Sequence, residues 1–126
     1  MFTKHRYPLI LIDKVISLIE NDSVVAIKNV SFNELIFKGH FPGNPIYPAI
    51  YTIEGLCQSA QLLTKTKIGV TAKLESFKFK KVVKPGDQLR YEVSLESSVG
   101  KLNIFKAKAF VGSSLSAKGT IYGYDL

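Results

Sequence analysis

The sequence contains a single cysteine, Cys57, and no tryptophan. One cysteine excludes an internal disulfide and any zinc site built from several cysteines. No apolar stretch approaches the roughly 18–20 uncharged residues of a membrane span. The apolar run at residues 8–12 is shorter than the roughly 7–15 residues of a signal-peptide core, and Asp13 ends it. We therefore expect a cytoplasmic protein without a structural metal.

Acidic residues are also scarce, because Asp and Glu number 10 against 17 Lys and Arg, which gives a net charge of +7. Such a charge keeps a protein soluble and attracts acidic partners. The basic residues are spread along the chain, with a modest concentration at residues 78–84, and no helix-turn-helix, zinc-finger or RNA-binding motif accompanies them. This pattern favours an acidic protein or a phosphorylated ligand over DNA or RNA as the partner.

The 126 residues suffice for one domain, and most of them are predicted to form strands. In the segment QLRYEVSLES, apolar residues at positions 89, 91, 93 and 95 alternate with polar ones, as in a half-buried antiparallel strand. Turn residues separate further candidate strands at 71–83, 102–111 and 115–122. Residues 14–20 and 23–30 are predicted to form a hairpin around Asn21 and Asp22.

One helix is predicted, from Ala49 to about Thr66, with Pro48 at the first helical position, where its missing N–H is no loss. Apolar residues are distributed around the helix axis and are not confined to one stripe, so the helix should be enclosed. A curved antiparallel sheet of about six strands wrapped around this helix would enclose it. The predicted fold class is therefore α+β, in a single domain spanning residues 1–126.

Polar side chains nonetheless line one edge of this predicted helix. Glu54, Gln58 and Gln61 are spaced i, i+4 and i+7, which places them side by side. An isolated carboxylate in an apolar setting is costly, and desolvation favours its protonated form. A protonated carboxyl group in a dry site is suited to general acid catalysis. The alternative, that this edge faces solvent or a subunit interface, stays open at this point.

His40 lies in the segment GHFPGNP, whose prolines restrict the backbone just before the helix. It should therefore stay close to the first helical turn, where the amide of Ala49 is one of the N–H groups without a helical partner. A base, an acid and an amide that binds a developing oxyanion suit removal of a proton beside a carbonyl, with loss of a leaving group. Cys57 has no adjacent histidine in the sequence, and we expect it to pack in the core.

Three motifs give the sequence a family resemblance that covers nearly the whole chain. They are HRYPLILIDKV at 5–15, GHFPGNPIYPAI at 39–50 followed by Glu54 and Gln58, and FKKVVKPGDQLRYEV at 79–93. The sequence resembles the (3R)-hydroxyacyl-[acyl-carrier-protein] dehydratases of type II fatty acid synthesis, the FabZ type, which implies a hot-dog fold. The resemblance implies that His40 is the catalytic histidine and Glu54 the catalytic acid. It also implies that Gln58 supports the glutamate and that the Ala49 amide polarises the thioester carbonyl.

The same resemblance implies that an acyl carrier protein delivers the substrate on a phosphopantetheine arm, with no cofactor of the enzyme's own. The active site is expected to form in a homodimer, with the histidine from one protomer and the glutamate from the other; a trimer of dimers is left open. Residues expected to line the acyl-chain tunnel are Phe41, Ile46, Tyr47, Phe77 and Phe79. Residues expected to dock the acidic carrier are Lys78, Lys80, Lys81, Lys84 and Arg90. His5 and Asp13, in the first motif, are expected to have structural roles.

The sequence departs from the family pattern at Tyr47-Pro48-Ala49, where Met-Pro-Gly is usual, and at Gly55 and Cys57, where alanine is common. These departures suggest a specialised paralogue, acting in fatty-acid synthesis or in a related aryl polyene or polyketide-like pathway. The related isomerising dehydratases carry an aspartate in place of Glu54, so isomerase activity is not expected. Two alternatives are a hot-dog acyl thioesterase and a non-catalytic acyl-binding subunit, which the changes at Tyr47 and Ala49 keep open.

Overall fold

The structure is a computed structural model that describes residue 7 and residues 9–64 and 69–125. Its strands are β1 (Lys14–Ile19), β2 (Ser23–Asn29), β3 (Gly69–Phe79), β4 (Gln88–Val99), β5 (Leu102–Val111) and β6 (Ser114–Asp125). Within the described ranges, one α-helix, α1 (Ala49–Gln61), and one 3₁₀ helix (Leu35–Lys38) lie between β2 and β3. The role predicted for His5 falls outside these residues.

The strands form one antiparallel sheet in the order β1-β2-β4-β5-β6-β3. Shifts of register interrupt the pairing of β1 with β2, β3 with β6, and β5 with both of its neighbours, and such irregularities bend strands. The sheet packs around α1, chiefly through β4, β5 and β2. The predicted α+β architecture, a curved sheet around one helix, is confirmed. Of the helices in the described ranges, none has the length and apolar character needed to cross a membrane.

β4 shows the predicted alternation most clearly. Leu89 and Tyr91 are completely buried, whereas Arg90 and Glu92 are partly exposed and form an ion pair of 2.7 Å. The buried side chains belong to the same apolar cluster as Leu56 of α1. Burying one large apolar side chain contributes about 1.5–3 kcal/mol, so this face of β4 anchors the helix.

α1 is enclosed as predicted, but it is shorter than predicted. It ends at Gln61 because the amides of residues 62–64 donate to carbonyls three residues earlier. This is the tighter 3₁₀ pattern of hydrogen bonds. The last predicted helical residues, 65–66, lie outside the described part of the chain. Pro48 is the N-cap and not the first helical residue, with φ −61° and ψ 134°. The φ of proline suits both positions, so the sequence alone does not distinguish them.

β3 ends at Phe79 and not at Val83 as predicted. Its register with β6 shifts within the strand, near Ser76, whose φ is 56°. Beyond Phe79 the chain runs beside the segment that precedes α1, and the Tyr47 amide donates to the Val83 carbonyl at 2.8 Å. Residues 80–83 therefore form one wall of a cleft at the end of the helix.

The packing of Phe77 on β3 depends on Gly119 of β6, because a Cβ added at Gly119 would overlap the Phe77 ring. We expect Gly119→Ala to displace the ring and to lower the free energy of unfolding by about 1–3 kcal/mol, measured by urea unfolding at matched protein concentration. Gly123→Ala on the same strand is the control, because its nearest new contact would be an ordinary 3.5 Å from the Val70 carbonyl oxygen. Equal destabilisation of the two variants would contradict this account of the packing.

Candidate active site

The loop that carries His40 closes on itself just before α1. Backbone hydrogen bonds join Phe41 and Asn44 in both directions, at 3.1 and 2.9 Å, and the Ile46 amide donates to the His40 carbonyl at 2.9 Å. The imidazole Nδ1 lies 2.8 Å from the Ile46 carbonyl oxygen. Because a carbonyl oxygen can only accept, Nδ1 carries the proton and Nε2 is the basic nitrogen. The loop thus selects the tautomer that a general base needs.

His40 lies in a cleft at the N-terminal end of α1. The cleft has a volume of about 350 Å³, and its lining includes Ile46, Tyr47, Ala49, Phe79 and residues 80–83. Ala49 is the first residue of α1 and is exposed, so its amide belongs to the helical turn whose N–H groups lack helical partners. The helix dipole adds partial positive charge at the same point. One chain therefore brings together the imidazole and the amide that the sequence assigns to base and oxyanion donor.

A network of hydrogen bonds surrounds Gln58, which is completely buried on α1. Its Nε2 donates to Glu54 Oε2 at 2.9 Å and to the Leu9 carbonyl at 2.7 Å. Its Oε1 accepts from the Leu11 amide at 2.9 Å. The i, i+4 spacing predicts the neighbourhood of Glu54 and Gln58, but no signal in the sequence points to Leu9 or Leu11. Glu54 itself is half-buried, which is less than the sequence predicts.

Within a single chain, Glu54 does not line the cleft that holds His40. The base and the oxyanion donor lie at the N-terminal end of α1, and the carboxyl group lies beside Gln58, further along the helix. A single protomer thus carries the predicted groups as two separate halves.

Three of the predicted tunnel residues, Ile46, Tyr47 and Phe79, line the cleft. Phe77 is not in the lining, but its ring stacks on Phe79 with centroids 6.3 Å apart. Phe41 stacks on the His40 imidazole at 4.1 Å and lines a neighbouring groove. Three of the five side chains expected around an acyl chain therefore line the cleft, and the other two stack against residues of its lining.

Tyr47, one of the positions where the sequence departs from the pattern of the family that it resembles, is 3% exposed. The ring centroids of Phe37 and Tyr51 lie 6.4 and 5.6 Å from its own. Among the residues that the structure describes, its buried hydroxyl finds no hydrogen-bond partner, and burial raises the pKa of Tyr47 well above its ordinary value. An unpaired buried polar group costs about 1–3 kcal/mol. Tyr47 thus brings a buried polar group to the lining of the cleft.

The predicted carrier-docking lysines fall on two different surfaces. Lys80 and Lys81 line the cleft beside His40. Lys78 instead lines a groove on the sheet together with Lys118, which lies opposite it in the β3–β6 register. Because β3 ends at Phe79, Lys80 lies beyond the strand that carries Lys78.

Lys84 and Arg90 do not line the cleft either. Lys84 is exposed in the turn before β4, where its amide donates to Asp87 Oδ2 at 2.9 Å. Arg90 pairs with Glu92, and its guanidinium carbon lies 4.8 Å from the centroid of the Phe110 ring. The guanidinium is therefore held by its own neighbours on the sheet.

Cys57 packs in the apolar core as predicted, and burial raises the pKa of its thiol to about 11. It is therefore protonated and weakly nucleophilic at neutral pH. Asp13 accepts a hydrogen bond of 2.6 Å from the Asn29 amide, which fits the structural role predicted for it. Within the described ranges, no three His, Cys, Asp or Glu side chains gather closely enough to hold a metal ion.

The curved sheet around one helix has close counterparts among known proteins. The dehydratase heterocomplex ApeI:P from Xenorhabdus doucetiae has a chain that superposes with a TM-score of 0.83 at 15% identity, over 99% of this chain and 88% of that one. A likeness at this low identity concerns the fold, which is the predicted hot-dog fold.

Sequence similarity is much stronger for one family. The FabA-like domain matches residues 3–119. The 3-hydroxyacyl-[acyl-carrier-protein] dehydratase FabZ of Ruminiclostridium cellulolyticum is 46% identical over 125 residues, covering 93% of this chain and 87% of its own length. FabZ of Caldanaerobacter subterraneus is 45% identical over 121 residues, covering 90% and 84%. The chain therefore belongs to the FabA-like family and is a relative of the FabZ dehydratases, as its motifs predict.

Proposed function

We propose that this protein removes water from 3-hydroxyacyl thioesters bound to acyl carrier protein and yields trans-2-enoyl thioesters, as a hydro-lyase of cytoplasmic fatty-acid or related synthesis. The observation that carries the proposal is the His40 cleft. There, the Ile46 carbonyl leaves Nε2 as the basic nitrogen, and Ala49 at the start of α1 lines the same space. No nucleophilic side chain is needed for this reaction.

The reaction follows from the two halves of the site. His40 Nε2 removes the α-proton of the thioester, and the electrons move into an enolate whose oxygen is stabilised by the Ala49 amide. Collapse of the enolate breaks the bond between C3 and the hydroxyl oxygen, and the Glu54 carboxyl group donates a proton to that oxygen, which leaves as water. Transfer of the α-proton from the imidazolium to the Glu54 carboxylate through solvent restores both groups. Each acid–base step contributes about 100- to 10,000-fold in rate.

The acid comes from a second copy of the chain in this proposal, because Glu54 does not line its own chain's cleft. β3 supports such an assembly, since it is an edge strand of 11 residues and is not covered by another strand of the described chain. Val70 and Leu74 of β3 are exposed by 50% and 45%. A long uncovered edge strand with apolar side chains is a ready site for pairing with another chain.

A mixture of two inactive variants tests the shared site. We expect His40→Ala and Glu54→Gln homodimers to lose about 100- to 10,000-fold in kcat. When the two variants are unfolded, mixed in equal amounts and refolded, each heterodimer should contain one intact site and one doubly defective site. Half of the dimers are then heterodimers, so roughly a quarter of the wild-type activity should return, measured as formation of enoyl thioester.

The control mixture pairs His40→Ala with the double variant His40→Ala/Glu54→Gln and should stay inactive, because no dimer in it contains His40. If the first mixture also stayed inactive while its heterodimers formed, the acid and base would not come from different chains. Full activity of either single variant would remove that residue from the proposed mechanism.

Lys80 and Lys81 are the basic residues best placed to receive an acidic carrier, because they line the cleft that holds His40. We expect Lys80→Glu/Lys81→Glu to lower kcat/KM roughly ten-fold for a carrier-bound substrate at low salt, since charge reversal weakens electrostatic steering. Turnover of a small 3-hydroxyacyl thioester should change less than about two-fold. Lys118→Glu, on the other groove, is the matched control, and an equal loss in the control or on the small substrate would remove the docking role.

The buried thiol of Cys57 predicts a reaction without a covalent intermediate. With a pKa of about 11, the thiol should resist iodoacetamide in the folded protein at neutral pH and react after unfolding. Cys57→Ala should keep kcat within about two-fold, because the dehydration needs no nucleophile. Release of free thiol from the substrate in place of enoyl formation would favour the thioesterase alternative.

A further inference from the structure

We propose that Tyr91 is a positioning residue for Glu54, acting through the backbone of residues 9–11 and the carboxamide of Gln58. This inference rests on the proposed function, in which Glu54 is the acid, and it assigns the elements that orient that acid. It connects α1 to the segment that precedes β1, and that segment to β4.

The first link is the orientation of the Gln58 carboxamide. Both N–H groups of Nε2 are used, one by Glu54 Oε2 at 2.9 Å and one by the Leu9 carbonyl at 2.7 Å, and Oε1 accepts from the Leu11 amide. Exchanging the nitrogen and the oxygen would set a donor against the Leu11 N–H and an acceptor against two oxygens. The backbone of residues 9–11 therefore decides that Gln58 presents a donor to the carboxyl group.

The second link fixes that backbone from the opposite side. The Tyr91 hydroxyl donates to the Leu11 carbonyl at 3.1 Å, and Tyr91 is completely buried on β4. Burial raises the pKa of Tyr91 well above its ordinary value, so the hydroxyl stays protonated and able to donate. Leu11 is thus held at both its polar atoms, by Gln58 from the helix and by Tyr91 from the sheet.

The third link is Gly55, the residue next to Glu54 on α1. A Cβ built at Gly55 would overlap the Tyr91 hydroxyl and the ring carbon that bears it. The phenol therefore reaches Leu11 only by passing against bare helix backbone. Glycine weakens a helix interior relative to alanine, and the approach of Tyr91 explains why it is present here. The chain of contacts through Tyr91, Leu11 and Gln58 therefore begins at Gly55 and ends at its neighbour Glu54.

This arrangement matters for catalysis because a proton donor must be held in a narrow range of positions. Small misplacements of a catalytic group cost up to about 100-fold in rate. The donated bond from Gln58 fixes how the Glu54 carboxyl group is rotated, and the Tyr91 hydroxyl fixes Gln58 indirectly. Loss of that hydroxyl should therefore lower kcat and leave substrate binding unchanged.

The test is a double-mutant cycle between Tyr91→Phe and Glu54→Gln, with the N-acetylcysteamine thioester of 3-hydroxybutyrate as substrate. We expect Tyr91→Phe alone to lower kcat roughly ten-fold with KM within about two-fold. In the Glu54→Gln background the same substitution should change kcat less than about two-fold, because the group it positions is gone. Tyr122→Phe, which removes a hydroxyl bonded to Glu75 at 3.4 Å, is the matched control and should leave kcat unchanged.

An equal loss in both backgrounds would show that Tyr91 acts on the whole fold and not through Glu54, and no loss in the wild-type background would also overturn the proposal. Failure of the proposed function gives a different result, since Glu54→Gln alone would then be as active as the wild type.

A second measurement does not depend on activity. Tyr91→Phe should speed hydrogen exchange at the Leu11 amide at least about ten-fold, because local opening of residues 9–11 becomes easier. The Ala107 amide, in the middle of β5, should keep its exchange rate under the same conditions. Unchanged protection of Leu11 would mean that the hydroxyl does not hold this segment, and would overturn the proposal.

Discussion

The enclosure of α1 by the sheet is the constraint on which the other features depend. An enclosed helix cannot leave its polar side chains to water, so each one needs a partner within the protein. Gln58 meets this requirement with three hydrogen bonds, and Ser59 meets it by donating to the Gly55 carbonyl at 2.9 Å. The exception is the N-terminal end, where Ala49 is exposed and lines a cleft. Enclosure therefore determines which end of the helix a substrate could reach. It also determines which polar side chains are held in one orientation by hydrogen bonds.

Local patterns in the sequence predict the elements of the fold but not all of their ends. The alternation of apolar and polar residues along β4 predicts that one face is buried, and the apolar residues on all sides of α1 predict that the helix is enclosed. Both patterns involve only residues that are close in sequence. The end of β3 is different, because residues 80–83 look like a continuing strand until the Val83 carbonyl is seen to accept from the Tyr47 amide. The early end of α1 likewise depends on a tightened turn at 62–64. Element ends of this kind are set by a few local hydrogen bonds, which leave no periodic pattern in the sequence.

The sequence likewise predicts some features of the candidate site and not others. Prolines around His40 predict a constrained loop before the helix, and the i, i+4 spacing predicts that Glu54 and Gln58 are neighbours. The tautomer of His40 depends on the Ile46 carbonyl, six residues away, and could not be inferred from residue types. Tyr91 appears in the sequence only as one of several apolar residues on a strand, and its bond to Leu11 spans 80 residues. A glycine inside a helix was the available signal that some bulky group approaches there.

The two halves of the site are each ordered by contacts within a single chain. The Ile46 carbonyl orients the imidazole, and the Gln58 carboxamide donates to the Glu54 carboxyl group, both within one chain. Joining two copies through a sheet edge would then bring together groups whose rotational freedom was already lost during folding of each chain. Because immobilising a flexible side chain costs about 0.5–1.5 kcal/mol at the moment of association, this order of events reduces the cost of assembling the site. Gln58 and Tyr91, which support the Glu54 half, are completely buried within the protomer, so the proposed pairing of two copies would not have to order them.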